Sequence, residues 1–176
     1  MRIIHVIGAI WGILGVTIIL GSAIIRVYPH VLDAFNVGLS PLQWVVLFLW
    51  SIFMLVAEGY RGFQKLFSPR VAARTWHLVN HGSAIDLILA PLYCIGYFHA
   101  TRKRMITSWT LTAMITLIVV VVRYLPQPWR GIIDNGVILG LLYGLVWVYI
   151  YTVKTFKNRI YLVDPEIHKK VAPSIS

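Results

Sequence analysis

His77 and His81 stand four residues apart, and His99 follows in the next segment. On one helix that four-residue spacing lets two imidazoles share a metal ion. The pair lacks the intervening glutamate of a zinc-hydrolase motif. A bis-histidine haem needs imidazoles deep in facing helices, whereas these three lie near the ends of apolar runs. No cofactor is therefore expected, and a haem- or quinone-binding redox subunit stands as an alternative on His77, His81 and His99.

Glu58 and Arg61 close another apolar run and are three residues apart, a spacing that lets them pair on one helix face. Asp86 sits inside an apolar stretch with no cation beside it in sequence. Ionisable residues this close to hydrocarbon are functional candidates. Glu58, Arg61 and Asp86 together define a second alternative, a transporter or channel component. A nucleophile elbow, a P-loop, a dinucleotide-binding glycine motif and paired carboxylates at useful spacing are all missing from the sequence. The sequence leans against an enzyme and leaves that question open.

The elements that must position these residues follow from composition. The chain has 176 residues, of which 59% are hydrophobic and 12% charged, with a mean hydropathy of +0.77. A soluble domain carries about 25% charged residues, so lipid must solvate much of this exterior. The formal net charge of +10 sits beside apolar runs, where basic residues orient a membrane protein and meet anionic headgroups rather than nucleic acid. Cys94 is the only cysteine. It is expected to be a small packing residue, and an intrachain disulfide is excluded.

Four apolar runs, approximately 3–25, 42–60, 105–123 and 132–153, are long enough for membrane helices. The first carries only Met1-Arg2 as a charged leader and reads as a retained helix, although Gly21-Ser22-Ala23 resembles a cleavage site. Tyr28-Pro29-His30 and Ser40-Pro41 mark a loop between the first two runs, and 125–129 a stiff turn between the last two. Ser68-Pro69 looks like a helix start, and Arg70, Arg74, His77 and His81 then form one polar stripe. The pattern predicts a short amphipathic helix over 69–81, lying in the headgroup plane. The tail, 154–176, is basic, then polar, with a loosely ordered end.

The fifth apolar segment, 82–98, decides the topology. With four spans and 82–98 re-entrant or interfacial, thirteen basic residues lie on one face and three on the other. With 82–98 as a fifth span the division is seven to nine. The positive-inside rule favours the first arrangement, with both termini cytoplasmic. Seventeen residues with Asp86 near one end leave the five-span alternative open.

Gly8, Gly12 and Gly15 form a small-residue stripe on the first run, and Gly136, Gly140 and Gly144 another on the last. In lipid such stripes let helix backbones approach closely, and the two are expected to face each other. Arg70, Arg74, Arg102, Lys103 and Arg104 are expected to form a basic surface for anionic headgroups. The sequence thus describes an all-α integral membrane helical bundle in a cytoplasmic (inner) membrane, comprising one domain. Glycine-faced helices and no catalytic set suggest an accessory, assembly or scaffolding subunit, with other membrane-protein subunits as partners.

Overall fold

A computed structural model describes residues 3–167. Expectations for Arg2, His168, Lys169, Lys170 and the end of the tail fall outside these residues. Four helices are long and apolar enough to cross a membrane: Ile3–Val37, Pro41–His81, Arg102–Val122 and Trp129–Asn158. Among the described residues the single β-type contact is an isolated bridge between Ala100 and Ile167.

Helix α1 (Ile3–Val37) runs straight through Pro29, where the sequence suggested a loop. Proline there removes one intrahelical bond, but contacts with the start of the last helix and the turn before it hold the extension in place. His30 O accepts from Gln127 Nε2 at 3.1 Å, and Arg130 Nη2 donates to His30 Nε2 at 2.5 Å. The connection shrinks to residues 38–40. Gly38 ends α1 at φ +87°, a left-handed conformation suited to glycine. Ser40 then starts α2 (Pro41–Met54) with a capping box, its amide donating to Gln43 Oε1 at 2.9 Å.

The second span continues without a break. After α2 comes a π-helical stretch, Leu55–Phe67, and then α3 (Ser68–His81). The reading of 69–81 as a separate interfacial helix is corrected by this continuity and by burial. Val71, Ala72, Ala73, Arg74, Thr75, Leu78 and Val79 of α3 are all buried, because α3 packs against α1, α7 and the 82–98 segment. Pro69 falls in the first turn after a wider helix, where its missing amide costs little.

Helix α7 (Trp129–Asn158) is the central post, in contact with α1, α2, the π-helical stretch and α3. Its glycines do not meet the stripe on α1. Gly136 faces Trp50 and Met54, Gly140 faces Glu58, and Gly144 faces Phe63, all on the second span. These partners are spaced by four and then five residues, and the wider π turn keeps them on one face as α7 advances. Trp50 Nε1 donates to Ile133 O at 3.2 Å across the same seam. The stripe on α1 has a different occupant, described below.

Helix α6 (Arg102–Val122) is the exception to this packing. Ser108 is its only buried residue, and its contacts with the rest of the molecule are confined to its first turns.

Candidate functional site

The segment 82–98 forms two short helices, α4 (Ala84–Ile88) and α5 (Ala90–Ile95). At 1.5 Å per residue neither approaches the roughly 30 Å of a hydrocarbon core. Ser83 caps α4: its hydroxyl accepts from the Asp86 amide at 3.3 Å, while Asp86 Oδ2 accepts from the Ser83 amide at 3.0 Å and hydroxyl at 2.7 Å. Gly96, at φ +93°, closes α5, with its amide on the Leu92 and Tyr93 carbonyls and the Tyr97 amide on Leu92 O. That left-handed cap reverses the chain. The returning chain brings His99 Nδ1 to 2.6 Å from Asp86 Oδ1. Entry and exit are thus tied together, and the segment leaves by the end at which it entered.

This loop occupies the α1 glycine stripe. Leu87 lies against Gly8, Ala90 and Cys94 against Gly12, and Pro91 against Gly15. Trp11 Nε1 donates to Ile88 O at 3.1 Å. Small residues on α1 admit the loop backbone in the way that they would admit another helix.

Arg74 is the hub beneath the loop, and only 1% of it is exposed. Its Nε donates to Tyr93 O at 2.5 Å, Nη2 to Phe98 O at 2.9 Å and Nη1 to Pro165 O at 3.1 Å. The guanidinium also lies 4.3 Å from the Tyr93 ring centroid. A planar fork of fixed donors suits three carbonyls from different segments better than an ammonium does. The sequence placed Arg74 on a basic surface; the structure corrects this to a buried clasp between α3, the loop and the tail.

The tail folds over the same end. Glu166 O accepts from the Thr101 amide at 2.8 Å. The Glu166 carboxylate is 3.4 Å from Arg70 Nε and 4.0 Å from Arg104 Nε. His77 Nδ1 is 3.2 Å from the Tyr161 hydroxyl, and its ring stacks on His81 with centroids 4.8 Å apart. His77, His81, Asp86 and His99 therefore gather at one end of the bundle. Among the described residues no three of His, Cys, Asp and Glu are arranged to hold one metal ion.

Burial alone would raise the Asp86 carboxyl. Its bonds from the Ser83 hydroxyl and amide and from His99 outweigh that effect, and the net shift is downward. A lowered pKa means that the ionised form stabilises the fold above the ordinary carboxylate range. That contribution is lost as pH falls through the lowered value. Thermal unfolding of the purified protein should therefore show an acid limb that Asp86→Asn flattens. At neutral pH the same variant should lose about 1.5–3 kcal/mol, the usual range for a hydrogen bond to a charged group.

The other sequence candidates are dispersed. Glu58 turns towards Gly140 on α7, and its Oε2 is buried with no hydrogen-bond partner. Arg61 is exposed. No hydrogen bond or ion pair joins Glu58, Arg61 and Asp86 in any combination among the described residues, so the expected Glu58–Arg61 pair is corrected. The π-helical turn is the physical reason, because three residues along it no longer bring two side chains to one face. Arg102 and Lys103 are exposed, while Arg104 is tucked in, its Nη2 3.4 Å from Ile95 O. Sequence reasoning missed Ser83 and Glu166. The Ser-x-x-Asp capping pattern at 83–86 was a legible signal for the first, whereas nothing local marks Glu166.

Chemically, this end of the bundle offers a hydrogen-bonded carboxylate–imidazole pair, a buried arginine bonded to three carbonyls and several further cations. The fold and this end together define an integral membrane protein of the multi-pass α-helical class, with four membrane-length helices and a loop that doubles back. No family model matches the chain, and neither curated proteins nor solved structures show a match to it.

Proposed function

We propose that this chain is a non-catalytic accessory or assembly subunit of a larger complex in a cytoplasmic (inner) membrane, with both termini cytoplasmic. The observation that carries this reading is helix α6. It is long enough to span, yet it touches the rest of the molecule only near its base. Gly96 packs on Arg104 and Ser108, the Tyr97 hydroxyl bonds Thr112, and the Tyr97 ring meets Trp109 edge-on with centroids 5.0 Å apart. Above Thr112 the helix makes no packing contact of comparable extent.

Spans in a bundle gain stability from close van der Waals packing and from hydrogen bonds between helices. A span standing clear of its own bundle leaves that contribution to a neighbour. Ser108 and Thr112 on α6 are taken up by the chain's own 93–98 loop, whereas Thr116, the next small residue on the same face, is exposed and leaves room for a partner helix to approach. Asymmetry in the basic residues supports the orientation.

Purification from native membranes in mild detergent should recover stoichiometric membrane partners. Thr116→Trp should reduce their recovery at least tenfold while leaving the thermal unfolding of the chain unchanged, since Thr116 is exposed and bonded only to its own helix at Thr112 O. A solitary, monodisperse protein from native membranes would overturn the proposal.

A further inference from the structure

A cavity of about 340 Å³ opens between the start of α6 and the junction of the π-helical stretch with α3. Leu66, Arg70, Thr101, Lys103, Arg104 and Glu166 line it, with Thr107 one turn further along α6. Its volume lies at the lower end of the range for small-ligand sites, roughly 300–1,000 Å³. Three cations face one carboxylate, so the walls carry an excess of positive charge.

That charge is poorly neutralised where it stands. The first turn of α6 has no acidic residue, and its N-cap, Thr101, makes no side-chain cap bond. Instead Arg102, Lys103 and Arg104 crowd the positive end of the helix dipole, the end at which anions are favoured. Arg104 Nε is buried without a hydrogen-bond acceptor, and its nearest carboxylate oxygen, on Glu166, is 4.0 Å away. Glu166 also serves Arg70 at 3.4 Å. One carboxylate shared by two arginines leaves Lys103 with no acidic partner among the described residues.

We infer that this cavity is a discrete binding site for the phosphate-bearing headgroup of an anionic phospholipid. A lipid fits better than a free anion because of what lies directly beyond the cavity. Leu111, Met114 and Ile118 follow Lys103 and Thr107 at intervals of four, four, three and four, which places all five on one face of α6. The three apolar members are exposed, at 47%, 51% and 50%. Leu66, on the facing wall, is also half exposed. The headgroup thus enters a basic cavity at the membrane surface, and its acyl chains lie along the apolar stripe of a helix that its own bundle does not cover. Basic pockets between membrane helices bind anionic headgroups by this combination of charge and depth.

The test uses the full chain in mild detergent, titrated with mixed micelles of phosphatidylglycerol or phosphatidylcholine and, separately, with inorganic phosphate. Native mass spectrometry reads occupancy. One phosphatidylglycerol per chain should bind at least tenfold more tightly than phosphatidylcholine, and millimolar phosphate should not displace it. Lys103→Gln should weaken binding at least fivefold, with thermal unfolding in lipid-free detergent unchanged, since this side chain is exposed and makes no hydrogen bond among the described residues. Arg102→Gln, next in sequence but outside the cavity, should leave the affinity within twofold of the original. Equal affinity for the two lipids, or an equal loss in both variants, would reduce the effect to general surface charge and overturn the inference. Displacement by inorganic phosphate would assign the site to a soluble anion and overturn the lipid.

Discussion

Arg74→Met is expected to release the whole loop end of the bundle. Methionine matches the length of the buried stem but leaves the carbonyls of Phe98 and Pro165 without this donor, and Tyr93 O with the Gly96 amide alone. A hydrogen bond to a charged group contributes about 1.5–3 kcal/mol, and a buried acceptor left unpaired costs a similar amount. Relief from desolvating the guanidinium offsets part of that loss. A net destabilisation of about 3–5 kcal/mol follows, the range seen when one partner of a buried charged contact is removed. Arg74→Lys should recover little, because one ammonium cannot reach three carbonyls that diverge around a planar fork.

Cys94 supplies the readout. It is the only cysteine, 1% exposed, and its Sγ lies 3.3 Å from Thr75 Oγ1 beneath the loop. Burial pushes its thiol up to about 11, so it is also a poor nucleophile. Labelling by a membrane-permeant maleimide should be slow in the original protein and at least tenfold faster in Arg74→Met, alongside a lower unfolding temperature. Unchanged labelling would show that the loop is held without Arg74.

Gly136→Leu is expected to wedge the second span away from α7. A Cβ added at Gly136 would lie 2.5 Å from Trp50 Nε1 and 2.7 Å from Met54 Cγ, both well inside contact distance. Overpacking of this kind costs about 1–3 kcal/mol, and displacing Trp50 also breaks its bond to Ile133 O. The total should reach about 3 kcal/mol in reversible unfolding from mixed micelles. On the loop side, Gly12→Val meets Cys94 Sγ at 2.9 Å, and its cost should appear in the same maleimide assay. Gly21→Ala is the control, because nothing lies within 4 Å of its added Cβ. It should be neutral or slightly stabilising, as alanine is the better helix former. Equal effects at Gly136 and Gly21 would mean that the α7 seam is not a close contact.

These two results test different parts of what the sequence made legible. The Gly136 stripe was visible as a packing face, since small residues every four positions have a direct steric meaning. Its partner was not visible, because a stripe records how closely something approaches and not what approaches. The two stripes looked made for each other, yet each took a different neighbour. Arg74 shows the converse. Its spacing with Arg70, His77 and His81 described a polar face correctly as a pattern, but not as an exposed surface. What buries it is the loop at 93–98 and the tail at 165, both far away in sequence.

By itself the sequence determined the solvent of this protein and its coarse architecture. Apolar runs of membrane length and few charges leave no water-soluble solution, and helices satisfy their own backbone bonds inside lipid. The basic-residue count also favoured a fifth segment that does not cross. Tertiary structure alone decided the continuity of the second span through Ser68-Pro69, the course of α1 through Pro29, the clasp around Arg74 and the isolation of α6. Each depends on which surfaces meet across long sequence separations. Breaker residues and charge periodicity carry only local preferences of a few kcal/mol at most, and contacts between distant segments override them.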